Sequence, residues 1–314
     1  CGRVVVVFLK SVLLGTLLCM GPVASATAQT NAEISIFDDL RLQSFPHDTP
    51  IVTVVEHHQA VVEMAEHLFG EEDYRTANAK GKLGFAYARF GNLELAEAFY
   101  RESIRVLLIT EEDQKPYPLG IMVTYANLAI LLEERGRLRE AAENYWFAIE
   151  IEKDFAGRIG TIYQDHLTSY ASIVAEIYPA HEAEPIVREV IKLLSKARPL
   201  DTFMASAHEN LASVLLDVGK LEEAEVYALR ALENSRLVMS RIDKNAMEPE
   251  WLRLIYESFV LRLDLVAAIH FAGGKREEAN LFSNEAARNL HQLLGGNHPL
   301  AADIQARLTQ ISGQ

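Results

Sequence analysis

One short phrase occurs four times in this chain: a glycine followed five residues later by an alanine, at Gly91 and Ala96, Gly136 and Ala141, Gly219 and Ala224, and Gly274 and Ala279. A helical pattern precedes each glycine. Another residue of the same helical face follows each alanine by four positions: Tyr100, Tyr145, Ala228 and Ser283. The glycine suits the left-handed C-cap of one helix, because it carries no Cβ to clash there. The alanine, being small, lets the next helix approach closely. Each copy therefore predicts an antiparallel helical hairpin, and a run of them must stack to bury its apolar faces. Hydrophobic residues at 49% and charged residues at 24% suit a globular chain with a full core.

Leu83-Gly84 with Tyr87, Gly91, Ala96 and Tyr100 resembles the tetratricopeptide repeat signature. A second copy reads Leu128-Ala129, Leu132, Gly136, Ala141, Tyr145 and Ala148, and a fourth Leu211-Ala212, Leu215, Gly219, Ala224 and Ala231. The fifth keeps only Ala267, Gly274, Ala279 and Ala286. A degenerate third is expected at Ile173-Val174, Ile177, Pro179, Ala183, Val187 and Val190, without the turn glycine. Leu83 to Leu128 spans 45 residues and Leu211 to Val266 spans 55, longer than the common repeat of about 34. That length, with the Asn-Leu-Ala phrases at Asn127 and Asn210 and the Asn297-His298-Pro299 start of the last helix, resembles the kinesin light chain type. The resemblance covers residues 71–312. It implies an all-α fold, a right-handed superhelical solenoid of antiparallel helical hairpins.

The expected organisation is a signal peptide at 1–28, a flexible leader at 29–48, and an N-terminal capping helix at 49–70. About five hairpins follow over 71–297, the third and fifth degenerate, and a C-terminal capping helix closes the chain at 298–314. In that last helix Ala302, Leu308 and Ile311 are expected to cover the final hairpin, with Gln305 and Gln310 in water.

Arg3 and Lys10 precede an apolar run from Val12 to Val23 that ends in small residues, the layout of a signal peptide. Cleavage frames lie after Ala28 and after Ala26, the former preferred. Lipidation at Cys19 is disfavoured by the large residues before it, and an uncleaved anchor over Val4–Val23 is the alternative. The expected location is periplasmic or secreted, with no membrane insertion after cleavage. Both cysteines, Cys1 and Cys19, leave with the peptide, so disulfides and thiolate sites are excluded from the mature chain. Loss of Arg3 and Lys10 turns the net charge of −14 into −16, with 28 basic against 44 acidic residues. Such a surface repels phosphate backbones, and no nucleic-acid partner is expected.

Candidate chemistry is sparse. His57, His58, Glu63 and His67 share one helix, but only Glu63 and His67 share a face, too few for a zinc site. Asp165-His166 beside Thr168 and Ser169 is a nucleophile set in composition only. Glu133-Glu134 and Glu222-Glu223 fall at turns and read as solvated surface. Tyr145-Trp146-Phe147 reads chiefly as core packing, with partner contact as the other use. No metal, no cofactor and no enzymatic activity are expected; an unrecognised catalytic site is the minor alternative.

In stacked hairpins the first helices line the concave face. The positions next to the repeated leucines place Lys82, Phe85, Asn127, Ile130, Ser172, Asn210 and Ser213 there as a peptide-binding groove. The resemblance implies that Asn127 and Asn210 hold the backbone of an extended peptide, whereas Lys82 and Ser172 depart from the pattern. The alternative is that the asparagines merely satisfy neighbouring groups. The expected function is a non-catalytic scaffold of the cell envelope binding other proteins or peptides. The alternative is a structural subunit of a secretion or cell-wall assembly, held through its convex face; the oligomeric state is left open. Intact mass of the exported protein should show a chain beginning at Gln29; a soluble product retaining residues 1–28 would contradict the signal-peptide reading.

Overall fold

A computed structural model describes residues 25–46, 48–109, 119–152, 161–196 and 201–313. The segment through Ala24, with Cys1, Cys19 and the apolar run of the expected signal, lies outside the described residues. Among the described residues every regular element is helical. The chain divides into two units, Cys1–Ile151 and Glu152–Gln314.

The first unit opens with α1 (Ser25–Arg41) and α2 (Ile51–Phe69). Two hairpins follow: α3 (Tyr74–Phe90) with α4 (Leu93–Ile109), and α5 (Leu119–Glu134) with α6 (Leu138–Glu152), whose last residue falls in the second unit. The second unit pairs α7 (Thr161–Ile177) with α8 (Ala180–Lys196), α9 (Asp201–Asp217) with α10 (Leu221–Arg241), and α11 (Pro249–Ala272) with α12 (Arg276–Asn289). A π-helical turn at Leu290–Leu294 leads to α13 (Leu300–Ser312).

The four turns of the repeated phrase are the same object. Gly91, Gly136, Gly219 and Gly274 have φ of 83°, 70°, 76° and 76°. Each glycine N–H returns to the carbonyl three residues back, and the following N–H to the carbonyl five residues before it, as in Lys220 to Leu215 at 2.9 Å. This closure satisfies carbonyls that a helix end otherwise leaves bare. The second helix then starts at once, with Ala224 N–H bonded to Lys220 O at 2.9 Å and its equivalents in the other copies. All four phrase alanines are fully buried. The third hairpin turns without glycine: Pro179 O accepts from Glu182 and Ala183 N–H at 2.8 and 3.0 Å, and Ala183 is buried like its counterparts.

A second device stitches successive hairpins. The cation after the turn glycine reaches the glutamate after the phrase alanine of the preceding hairpin: Arg137 bonds Glu97 at 2.7 Å. In the second unit Lys220 bonds Glu184 at 2.8 Å, and Lys275 pairs with Glu225. The Lys220 and Lys275 bonds hold the carboxyls of Glu184 and Glu225 below their ordinary range. Burial pushes the Glu97 carboxyl up, but bonds from Arg101 and Arg137 outweigh it. Exposed pairs contribute about 0–1 kcal/mol each, so these align helices more than they stabilise them.

Residues 29–41, expected as part of a flexible leader, instead continue α1, and 42–46 follow without regular structure. Phe37 is 1% exposed and meets Phe69 edge-on with ring centroids 5.1 Å apart. His57 Nε2 donates to Leu40 O at 3.0 Å, and Lys82 Nζ to Arg41 O at 2.6 Å. These tertiary contacts hold a helix whose own sequence has little amphipathic pattern. At the other end Ile304, not Ala302, joins Ile311 in covering the last hairpin, because a helix beginning at Leu300 turns Ala302 to solvent. His298 bonds Glu257 at 2.9 Å and Arg307 bonds Asp264 at 3.3 Å, fastening α13 to α11.

Gly84 lies mid-helix, where a Cβ would come within 2.8 Å of the buried Tyr100 ring and 3.2 Å of Ala96 O. Alanine normally stabilises a helix interior by about 1 kcal/mol over glycine. Here overpacking against Tyr100 should outweigh that gain. Gly84→Ala is expected to lower stability by about 1–3 kcal/mol, read as a lower urea midpoint.

Candidate functional site

First helices of successive hairpins present residues at helical spacing to one face. In the first unit α3 places Asn78, Lys82 and Phe85 on this face, and α5 places Gly120, Val123 and Asn127 beside them. With α1 they line a cleft of about 900 Å³, into which Ile34, Phe37, Asp38 and Arg41 also project. Phe85 and Val123 stay 48% and 45% exposed, so among the described residues the cleft carries uncovered apolar surface. Asn127 is half-buried at its edge. Gly120 leaves room for the Asn78 amide, which a Cβ there would overlap. Ile130 is 42% exposed on α5, outside the cleft lining.

The charged groups of the cleft are largely engaged. Asp38 accepts from Arg41 at 2.6 Å, and Arg75 bonds Asp73 while stacking 3.5 Å over the Phe69 ring. Lys82, expected among peptide-contacting residues, has its ammonium on the last carbonyl of α1. Burial and the Arg41 charge lower its pKa.

In the second unit the expected positions behave differently. Asn210 donates through Nδ2 to Ser172 Oγ at 2.9 Å, a bond within the face itself. Ser172 and Ser213 are exposed. Beneath this face Arg262, nearly buried on α11, donates from Nε to Glu209 at 2.9 Å, from Nη1 to Ser235 Oγ at 2.6 Å and from Nη2 to Ser206 Oγ at 3.1 Å. A buried guanidinium needs this degree of pairing. Nothing in the sequence around Arg262 marks it as a core residue.

The other sequence candidates are separated. His57 is buried against α1 and His58 lines the cleft, whereas Glu63 and His67 are exposed. Among the described residues no three His, Cys, Asp or Glu side chains converge to hold a metal. His166 Nδ1 pairs with the buried Glu152 at 2.9 Å rather than with a nucleophile, and Thr168 Oγ1 donates to Gln164 O at 2.8 Å. Glu223 pairs with Arg188 and Glu133 accepts from Tyr145 OH, so one residue of each turn pair is structural rather than simply solvated. Tyr145 is buried, Trp146 is partly exposed, and Phe147 is half-exposed with its ring 5.2 Å from that of Tyr125. No described helix is long and apolar enough to cross a membrane.

Residues 77–106, within the α3–α4 hairpin, match the tetratricopeptide repeat family model. Among curated proteins, none matches the chain in sequence. Solved structures resemble it in fold. The assembly chaperone of RpL4, Acl4 (residues 1–338), superposes with a TM-score of 0.56 at 15% identity, covering 90% of this chain and 98% of that one. BtubC (BKLC) from P. vanneervenii gives 0.55 at 20% identity, covering 80% and 95%. A Podosopora anserina kinesin light chain protein with nearly identical TPR-like repeats gives 0.48 at 14% identity, covering 71% and 100%. At these identities the likeness to Acl4 and BtubC is one of fold: an all-α array of tetratricopeptide-like hairpins.

Proposed function

We propose that this chain is a non-catalytic adaptor that binds other proteins, and that the cleft of its first unit receives an extended peptide or a helix of the partner. Tetratricopeptide-like folds serve as protein-interaction scaffolds, which supports the general reading. The observation that carries the specific one is the exposed Phe85 and Val123 within a concave cleft, flanked by the amides of Asn78 and Asn127. Apolar surface of this kind gains from burial by a partner, and amides supply both a donor and an acceptor to a peptide backbone whatever its sequence. Asn210 and Ser213 offer a second polar face in the second unit. The fold neighbour named as an assembly chaperone of RpL4 is an example of the scaffold's use for a protein client. The envelope location belongs to the proposal and rests on the apolar run Val12–Val23 and the small residues Ala24–Ala28.

A second reading is attachment through the second helices of the first unit. Leu108 and Ile109 on α4 and Trp146 on α6 are exposed there. Crosslinking of the full chain in cells followed by mass spectrometry identifies the partner. Calorimetric titration of that partner then separates the readings. Asn127→Ala is expected to weaken binding about 2- to 12-fold, the value of one net hydrogen bond, and Phe85→Ala by about tenfold or more. Undiminished affinity in both variants, with a loss in Trp146→Ala, would move the contact to the second helices.

A further inference from the structure

In the second unit α11, the longest described helix at 24 residues, buries Phe259, Val260, Leu263 and Val266 against its neighbours. Its opposite face is apolar as well. Trp251, Leu254, Ser258, Leu261 and Leu265 follow one another at alternating intervals of three and four residues, which on a helix makes a single straight stripe. Trp251 is 65% exposed, Leu254 42% and Leu261 41%, whereas Ser258 and Leu265 are half-buried. The stripe runs about 21 Å along the helix. Contacts to α9 and α13 mark its two edges. Arg262 reaches Glu209 and Ser206 of α9 on one side, and Glu257 and Asp264 meet His298 and Arg307 of α13 on the other. An apolar stripe at this spacing is what one helix offers another in a coiled coil, each side chain entering a gap in the facing helix. Ser258, small and at the middle, leaves such a gap.

The charge around the stripe selects what can lie on it. Residues 152–314 carry 23 acidic and 17 basic residues, and α7, α9 and α11 hold eight of the acidic and two of the basic, so the net charge of −6 lies on the first helices. The second helices α8, α10 and α12 are close to balance, with ten acidic and eight basic residues. Both cations of the first helices are already used: Arg253 is 3.6 Å from Glu257, and Arg262 is 2.9 Å from Glu209. Asp165 and Glu176 on α7, Asp217 on α9 and Glu250 on α11 are exposed, and among the described residues none of them pairs with a cation. An acidic helix laid on the stripe would add like charge to this face, and a basic one would compensate it.

We propose that the outward face of α11 is a docking seam for one amphipathic helix of a partner protein, with apolar residues facing the stripe and lysine or arginine along their borders. Trp251 is the anchor, because it offers the largest exposed apolar side chain of the stripe and sits at its open end. The acidic first helices draw the partner in and exclude helices of their own sign. The seam is a second surface, and it does not depend on the reading of the first-unit cleft.

The probe is a fluorescently labelled synthetic helix of about 18 residues, with leucine at the spacing of the stripe and lysine at the flanking positions. A twin carries glutamate in place of lysine. Anisotropy on titration with the full chain should show the lysine helix binding at least about tenfold more tightly than its twin, and binding should weaken as salt rises to about 1 M, where the Debye length falls to about 3 Å. Trp251→Ala, which leaves every charge in place, should weaken the lysine helix by about tenfold or more. Leu281→Ala, at an exposed leucine on α12, should leave its affinity unchanged. Circular dichroism checks the folding of each variant; should Trp251→Ala not fold, Leu254→Ser should show the same loss. Equal binding of the two helices would overturn the seam. So would a loss in Trp251→Ala no larger than that in Leu281→Ala, which would mean attraction of a basic peptide to an acidic chain without a site. A chain that sediments as a dimer and becomes monomeric with Trp251→Ala would also overturn it, the stripe then pairing two copies.

Discussion

Each hairpin depends on a reversal tight enough to bring two helix backbones together, and that reversal is set by a residue with positive φ followed at a fixed distance by one with almost no side chain. A non-glycine residue in the left-handed region costs about 1–2 kcal/mol, so Gly91, Gly136, Gly219 and Gly274 are the residues that allow the turn. The buried alanines then set the interhelical distance, and Gly84 under Tyr100 tightens the first hairpin further. Pro179 reaches the same outcome by another route, its carbonyl starting α8 while its ring ends the preceding helix.

With spacing fixed in this way, each first helix is free to present polar and apolar residues outward on a rigid support. Phe85, Val123 and Asn127 lie on such a support rather than on loops, which limits the entropy lost when a partner is bound. The α1 helix forms a wall of the cleft in which those residues meet, and its described contacts include the edge-on pair of Phe37 and Phe69 and hydrogen bonds from His57 and Lys82 to its last turn.

The hairpins are legible in the sequence because glycine and alanine at a fixed interval have few other physical uses. The third is legible through Ile173-Val174, Ile177, Ala183, Val187 and Val190 but lacks the turn glycine, Pro179 standing at the turn instead. The α1 helix is not legible. Its stability comes from Phe69, His57 and Lys82, distant in sequence, rather than from periodicity of its own. The cations Arg137, Lys220 and Lys275 stand within the repeated phrase, yet their glutamates lie 36 to 50 residues earlier, so the pairing follows only from helix register. Of the groove residues, Phe85 and Asn127 meet in one cleft. Lys82 and Asn210 are engaged within the protein, by an α1 carbonyl and by Ser172, contacts that repeat position alone does not reveal.

The most direct test of the close-approach account is the equilibrium stability of Ala224→Leu compared with Val226→Leu, two positions apart on α10, the first fully buried and the second 46% exposed. Urea unfolding should show Ala224→Leu destabilised by about 1–3 kcal/mol through overpacking, and Val226→Leu within about 0.5 kcal/mol of wild type. If Ala224→Leu is as stable as the wild type, the phrase alanine does not set the distance between helices, and the account of how these hairpins form is wrong.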